Sequence, residues 1–443
     1  TFANGATVNI ASISHTGGAE VIYDNNTFAR TYRFDVGTID GSGTLSVGTS
    51  GGGFEWASGI MKGTGTTNIG GNSVLGQSGE ITMEGSRTIN NGGTVNLIRD
   101  LSMAGLNNSV VNSNLFNIEG DHSINNNGGP SNNNTFINQA GSIVEKTFGT
   151  GTSTLASFTN NGTLNVTTGS ISIPDGNVVQ HSGFFTINNG AELTGADIIL
   201  TGNGTLNNNG LVTAPVTYIG TGGPQQLLGT GTIDNLTLDN LNGVSFLSSG
   251  SSQTVRNLLT LNNGILFTGD NTIIIPQGSS ITVGSTNSFV DGNLQRYVDD
   301  IVVPTVFPVG DEFGYASVEL SPNLVTAAVG GMVTVKSVTG DHPDISHAGI
   351  NVDKSVNRYW SITNQSLSFT ECDVLFNWTN GARDAEATPS NFKLAKLDGS
   401  TWIHPSAVTA NDNSLNVPNL ISFSEFQIGE AQGLSGDYQT TGG

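Results

Sequence analysis

The sequence predicts an all-β protein. A β-solenoid (parallel β-helix) of about 21 residues per rung is expected over residues 1–288, an antiparallel, immunoglobulin-like β-sandwich over 289–430, and a C-terminal tail over 431–443. Three observations carry this. The tetrapeptide Gly162-Thr163-Leu164-Asn165 returns as Gly183-Phe184-Phe185-Thr186 and Gly204-Thr205-Leu206-Asn207, spaced by about 21 residues each time. Gly supplies 61 of 443 residues and charged residues only 11%, a composition of turns and small side chains. Near residue 290 the rhythm stops, and Pro304, Pro308, Pro322 and Pro343 interrupt longer strand-like runs.

Looser copies of the repeat stand at Gly43-Thr44-Leu45-Ser46, Gly93-Thr94-Val95-Asn96 and Gly231-Thr232-Ile233-Asp234, with spacings that imply loop insertions. One rung is legible between 259 and 281. The apolar pairs Leu259/Leu261, Ile265/Phe267, Ile273/Ile275 and Ile281/Val283 are separated by Asn262-Asn263-Gly264, Thr268-Gly269-Asp270-Asn271 and Pro276-Gln277-Gly278-Ser279. Period-two alternation turns one side of each strand inward, and Gly, Asn, Asp and Pro supply the turn dihedrals. Strand–turn units in threes make a triangular coil, and roughly a dozen rungs at ~4.8 Å spacing fit the first segment. For Asn160-Asn161, Asn188-Asn189 and Asn207-Asn208-Asn209 two readings stand side by side: stacked amide ladders, or residues chosen only for left-handed turns.

In the second segment, strands are expected around Arg358-Tyr359-Trp360-Ser361-Ile362, Phe369 to Trp378, Phe392 to Leu397 and Ile421 to Ile428, with Asp398-Gly399 as a hairpin turn. Such a domain would cover the open edge of the last rung. Alternation places Cys372 with Val374, Phe376 and Trp378, so this single cysteine, which excludes an intrachain disulfide, is expected to be a buried structural thiol.

Phe289-Val290-Asp291-Gly292-Asn293-Leu294, Phe307-Pro308-Val309-Gly310, Asn357-Arg358-Tyr359-Trp360-Ser361-Ile362 and Ile421-Ser422-Phe423-Ser424-Glu425-Phe426-Gln427-Ile428-Gly429 resemble, in that order, the C-terminal half of large secreted Bacteroidota surface proteins. Those proteins have Asn/Gly-rich β-solenoid bodies, and many are cargo of the type IX secretion system. The resemblance covers about residues 285–430 and implies an exported, cell-surface or extracellular chain. The sorting domain of such cargo is not found after Gly429. The opening Thr1-Phe2-Ala3, in place of Met or a signal peptide, reads as an already processed chain.

A net charge of −21 would repel a phosphate backbone, so nucleic acid is not an expected partner, and no apolar run is long enough for a membrane span. Solenoids of this kind include polysaccharide lyases and hydrolases, which need a basic residue beside acids or a pair of carboxylates. Basic residues before 290 are only Arg30, Arg33, Lys62, Arg87, Arg99, Lys146 and Arg256. Arg30 and Arg33 with Asp24 and Asp35 read as a solvated N-terminal cap. Asp197, Asp234 and Asp239 are expected on different rungs, so no catalytic residue is assigned. The histidines are His15, His122, His181, His342, His347 and His404. Their densest stretch, Asp341-His342-Pro343-Asp344-Ile345-Ser346-His347, reads as a polar inter-strand loop in preference to a transition-metal site. No cofactor is expected. The Asp175-Gly176, Asp270-Asn271, Asp291-Gly292 and Asp299-Asp300 turns are where calcium would be held if it is bound at all. Threonine-rich stretches such as Gly63-Thr64-Gly65-Thr66-Thr67 raise an ice-binding face, and irregular repeat spacing argues against the Thr register that it needs.

The expected role is non-catalytic: an extracellular structural or adhesive protein, a stalk or subunit of a surface appendage or filament. The alternative is a polysaccharide-binding or polysaccharide-cleaving β-helix enzyme. Expected partners are other copies of the chain, neighbouring surface proteins, polysaccharide or another cell surface. The tail, from Gly433 onward, is expected to add as a strand to a neighbouring copy or to the sandwich edge.

Overall fold

The computed structural model describes residues 7–48, 51–129, 132–174, 180–220, 222–246, 249–282, 284–299, 303–324 and 330–433. The chain is all-β, 58% strand and 2% helix, with a parallel β-solenoid of about 14 turns and about 21 residues per turn, and antiparallel sheet toward the C-terminus. It divides into two compact units, Thr1–Leu236 and Thr237–Gly443. The change from parallel to antiparallel pairing comes later, at Val290–Val298.

In the first unit each rung contributes three short strands. The 21-residue register is direct: Leu164 pairs with Phe185 and Phe185 with Leu206, all buried. The same column runs from Val95 through Phe116 and Val144 to Leu164. Of the looser copies of the tetrapeptide, Gly93-Thr94-Val95-Asn96 belongs to that column and the other two do not. Thr44–Val47 and Thr232–Asp239 lie on the two other faces. The motif marks a strand that leaves a tight corner, and all three corners impose that requirement. At Gly183 a Cβ would overlap the Gly162 carbonyl oxygen one rung away, so close stacking of backbones excludes a side chain.

The interior is apolar and aromatic, with a polar seam. Phe116, Phe136 and Phe158 pack with tilted rings whose centroids lie 5.2 and 5.0 Å apart. Beside them Asn91, Asn112, Asn138 and Asn160, each at most 1% exposed, form an amide ladder. The Nδ2 of each of the first three donates to the next rung's Oδ1 at 2.8 Å. Each Nδ2 also donates to a backbone carbonyl where the next face begins: Leu115, Ile143, Thr163 and Phe184. Buried amides satisfied on this scale stabilise a single register, since any slip strands them in an apolar core. The ladder reading therefore holds for Asn160. Asn161 accepts a bond from Ser182, and Asn208 instead caps the next turn through the Gly210 N–H.

Two buried cations tie rungs together. The fully buried Arg87 donates to Thr67 Oγ1 at 2.9 Å and to the Lys62 carbonyl at 3.2 Å, in space that Gly65 leaves open. Burial holds its pKa down at about 10. Lys146, also fully buried, donates to the Gly120 carbonyl, Asp121 Oδ1 and Ser153 Oγ.

The second unit opens with further parallel pairs, among them Leu259 on Ile281 and Ile273 on Leu294. The inward side of Leu266–Ile275 differs from expectation: Leu266 and Thr268 are buried, whereas Ile265 and Phe267 are half-exposed. The buried Gly264, at φ +87, precedes this strand, and the inward alternation runs Gly264, Leu266, Thr268. Val283 lies outside the described residues. Val290–Val298 pairs in parallel with Leu266–Ile275 on one edge and antiparallel with Gly331–Thr339 on the other. From there one sheet runs through Ile350–Asn364, Glu425–Ala431, Phe392–Asp398 and Thr401–Ile403. A second holds Thr305–Phe307, Val318–Leu324, Phe369–Asn377, Ser414–Leu420 and Thr409–Asn411. Phe376 of the second sheet packs against Trp360 and Phe426 of the first at 5.1 and 5.2 Å, forming the sandwich core. Asp398 pairs with Thr401 across Gly399, as the hairpin signal requires. The strand expected from Ile421 begins only at Glu425, and Ile421 is exposed.

Candidate functional site

The histidine stretch of the second unit is the richest constellation of titratable side chains that the sequence singled out. Gly340, at φ +83, ends Gly331–Thr339 and leads into a 3-10 turn at Ile345–His347. His342 Nδ1 accepts the Asp344 N–H at 3.0 Å, so its Nε2 carries the proton and donates to Glu425 at 2.9 Å. Its ring meets Tyr359 and Trp402 edge to face at 4.9 and 4.8 Å. Asp344 accepts from Trp402 Nε1 at 3.0 Å and faces His347 Nδ1 at 2.5 Å; these bonds hold its carboxyl below the usual range. Beneath them the fully buried Ser355 donates to Asp341 at 2.6 Å, and Gln427 bridges Asp341 to the Val356 carbonyl. Burial raises Asp341. Both His342 nitrogens are committed and neither bonds to Ser355, so the group lacks the serine–base pair of a nucleophilic site. It joins strands Ile350–Asn364, Thr401–Ile403 and Glu425–Ala431. The sequence reading missed Ser355, Glu425 and Gln427, because strand pairing rather than chain proximity brings them in.

The other candidates are engaged singly. Arg33 bonds Asp35 and Glu55 at 2.8 Å each, and Asp24 accepts the Ser42 N–H. Asp197 bonds Thr217 Oγ1 and is raised by burial. Asp234 and Asp239 share one strand, Thr232–Asp239, instead of separate rungs. His15 contacts the Ala19 carbonyl and stacks on Phe34; His122 lies 3.7 Å from Asp100; His404 contacts the Leu394 carbonyl. His181 is buried, accepts the Asn160 N–H at 3.1 Å, and is pushed down to about 4 by desolvation. Cys372 is buried with Val374, Phe376 and Trp378, and burial pushes its thiol up to about 12. Among the described residues no three His, Cys, Asp or Glu side chains converge as a metal site. Asp270 faces Lys336 at 3.7 Å, and burial raises Asp291. Asp175-Gly176, Asp300 and residues 434–443 lie outside the described residues.

The outer surface of the solenoid is ordered in ways that repeat spacing concealed. Thr44, Thr66, Thr88, Ser109 and Thr135 stack in register, because the insertions fall in turns and leave strand pairing intact. The column beside them is Ser46, Asn68, Asn90, Val111 and Ile137, so the two-column threonine array is not formed. On the next face Leu115, Ile143, Thr163 and Phe184 form an outward column, with Asn117, Glu145, Asn165 and Thr186 alongside. Ile143 and Phe184 are exposed. No helix is long and apolar enough to cross a membrane.

No family model matches the chain, and no curated protein or solved structure shows significant similarity to it.

Proposed function

We propose that this chain is a non-catalytic structural and adhesive element of the cell exterior, a stalk or subunit of a surface appendage. The buried amide ladder from Asn91 to Asn160, with Arg87 and Lys146 bridging rungs around it, is the observation that carries the reading. Such continuous cross-rung bonding resists shear between rungs, the property that a load-bearing element needs. The surface setting rests on the resemblance to secreted Bacteroidota proteins. The test is to incubate the full chain with neutral and acidic polysaccharides and follow polymer length. Unchanged length is expected; reproducible cleavage abolished by Asp197→Asn or another carboxylate substitution overturns the reading.

A second reading is polysaccharide binding without cleavage. It is favoured by the outward Leu115–Ile143–Thr163–Phe184 column beside amides and hydroxyls, apolar contacts next to hydrogen-bonding groups at regular spacing. Affinity electrophoresis through polysaccharide gels separates the two, with Phe184→Asp as the variant that would restore free mobility.

A further inference from the structure

Asparagine followed by glycine recurs along the chain, and the fold treats one such step differently from the rest. Asn189-Gly190 forms the centre of the turn between Phe184–Ile187 and Glu192–Gly195. The Asn188 carbonyl accepts the Ala191 N–H at 3.0 Å, and Gly190, at φ +80, takes the third place of that turn without strain. The peptide between the two central residues of such a turn lies outside its closing bond. Accordingly, among the described residues neither the Gly190 N–H nor the Asn189 side chain has a hydrogen-bond partner, and both residues are exposed. A Cβ on Gly190 would meet nothing within 4 Å.

At every other described Asn-Gly step at least one of the two groups is held. The glycine N–H donates to a backbone carbonyl at Gly92, Gly204, Gly243 and Gly264. At Gly128 and Gly210 it donates to the side chains of Asn126 and Asn208. At Asn161-Gly162 and Asn380-Gly381 the asparagine side-chain oxygen accepts from Ser182 and Asn413. Asn4-Gly5 lies outside the described residues.

We propose that Asn189 is a modification site selected by the fold, at which the Gly190 backbone nitrogen closes on the Asn189 side chain and converts it to aspartate and isoaspartate without an enzyme. The Gly190 N–H gives its proton to solvent base and the nitrogen bonds to Asn189 Cγ. The Cγ–Nδ2 bond breaks, and the amide nitrogen leaves as ammonia with a proton from water. Water then opens the cyclic imide. Cleavage at Cγ yields aspartate, and cleavage at the backbone carbonyl yields isoaspartate, which routes the chain through the side-chain carbon and lengthens the turn. The sum is asparagine plus water to acid plus ammonia. Ring closure requires the Asn189–Gly190 peptide to rotate, which breaks no hydrogen bond of the Gly190 N–H and occurs in open solvent. The product changes its surroundings, because Asn189 and Glu192 line one cleft of about 510 Å³ with Ser170, Asn209, Leu211 and Thr232. Glu192 is the only carboxylate of that lining, and its oxygens accept from Ser170 and Thr213. Conversion of Asn189 sets a second negative charge in the cleft, which then disfavours an anionic ligand.

The test is to hold the full chain at mildly alkaline pH, folded and in urea, and to follow each Asn-Gly peptide by mass spectrometry with fragmentation that distinguishes isoaspartate. In the folded chain Asn189 is expected to convert roughly fivefold or more ahead of every other described Asn-Gly step, because each of those must first surrender a hydrogen bond. Conversion should slow at mildly acid pH, where the peptide nitrogen keeps its proton. In urea the lead should vanish. Asn189→Gln, which would have to close a larger ring, should remove the change at this turn and leave the circular dichroism spectrum as it was. An Asn189 that stays intact in the folded chain while the urea sample reacts overturns the proposal. So does a lead that persists undiminished in urea, since local sequence and not the fold would then select the site.

Discussion

Replacing Asn138 by alanine tests the amide ladder at its best-connected member. Asn138 Nδ2 donates to Asn160 Oδ1 at 2.8 Å and to the Thr163 carbonyl at 3.0 Å, and its Oδ1 accepts from Asn112 Nδ2 at 2.8 Å and Ser142 Oγ at 2.7 Å. Truncation leaves the Asn112 amide its carbonyl acceptors at Ile143 and Asn114, and Ser142 its own bond to the Asn112 carbonyl. Asn160 Oδ1, in a fully buried site, and the Thr163 backbone carbonyl each lose a donor. At ~1–3 kcal/mol for each buried acceptor stripped of its donor, the variant should lose about 3–5 kcal/mol, cavity included. Urea unfolding of the full chain, read by hydrogen exchange at Thr135–Asn138 so that local loss is seen directly, is the assay. Asn117→Ala, which removes a half-buried bond to Asn96 at 2.8 Å, is the reference and should lose about 1 kcal/mol or less. Equal losses at the two positions would refute the idea that burial and continuity give the ladder its strength.

Three further outcomes are expected. His181, held neutral at about 4 against 6.5 for a free imidazole, binds its proton more readily unfolded than folded, so stability should be complete above pH 6.5 and fall by roughly 3 kcal/mol as pH drops toward 4; His181→Asn should flatten that slope in denaturant titrations across pH. Gly183→Ala, whose methyl would overlap the Gly162 carbonyl, should cost about 2 kcal/mol or more by thermal melting, while Gly222→Ala, with nothing within 4 Å, should be nearly neutral. Cys372, with its thiol near 12, should resist a thiol reagent at pH 8 in the folded chain and react promptly in urea.

The repeat was legible because strand stacking demands one apolar residue at one place on each rung, and Leu164, Phe185 and Leu206 meet that demand at constant spacing. Rung parity was less legible. Alternation alone makes Ile265 and Phe267 inward, whereas the strand that follows the buried Gly264 turns Leu266 and Thr268 inside instead. The threonine column escaped notice for the opposite reason: insertions disturb sequence spacing while leaving pairing untouched. The polar network around His342 was half visible, since Asp341 to His347 is contiguous, whereas Ser355, Glu425 and Gln427 arrive through antiparallel pairing over long sequence separation.

The ladder has a direction. From Asn91 to Asn160 every amide points its N–H toward later rungs and its C=O toward earlier ones, so the side-chain dipoles add head to tail as peptide dipoles do in a helix. Reversing one amide alone would set N–H against N–H on one side and oxygen against oxygen on the other. The column therefore switches as a whole or not at all, and the carbonyls of Leu115, Ile143, Thr163 and Phe184 choose the sense. Its positive end closes on the Phe184 carbonyl, which accepts from Asn160 Nδ2, while the backbone N–H of Asn160 is bonded separately to His181 Nδ1. A protonated Nδ1 could not accept that backbone bond, and burial holds the His181 ring neutral, so the rung that follows the ladder meets it with an acceptor and no charge.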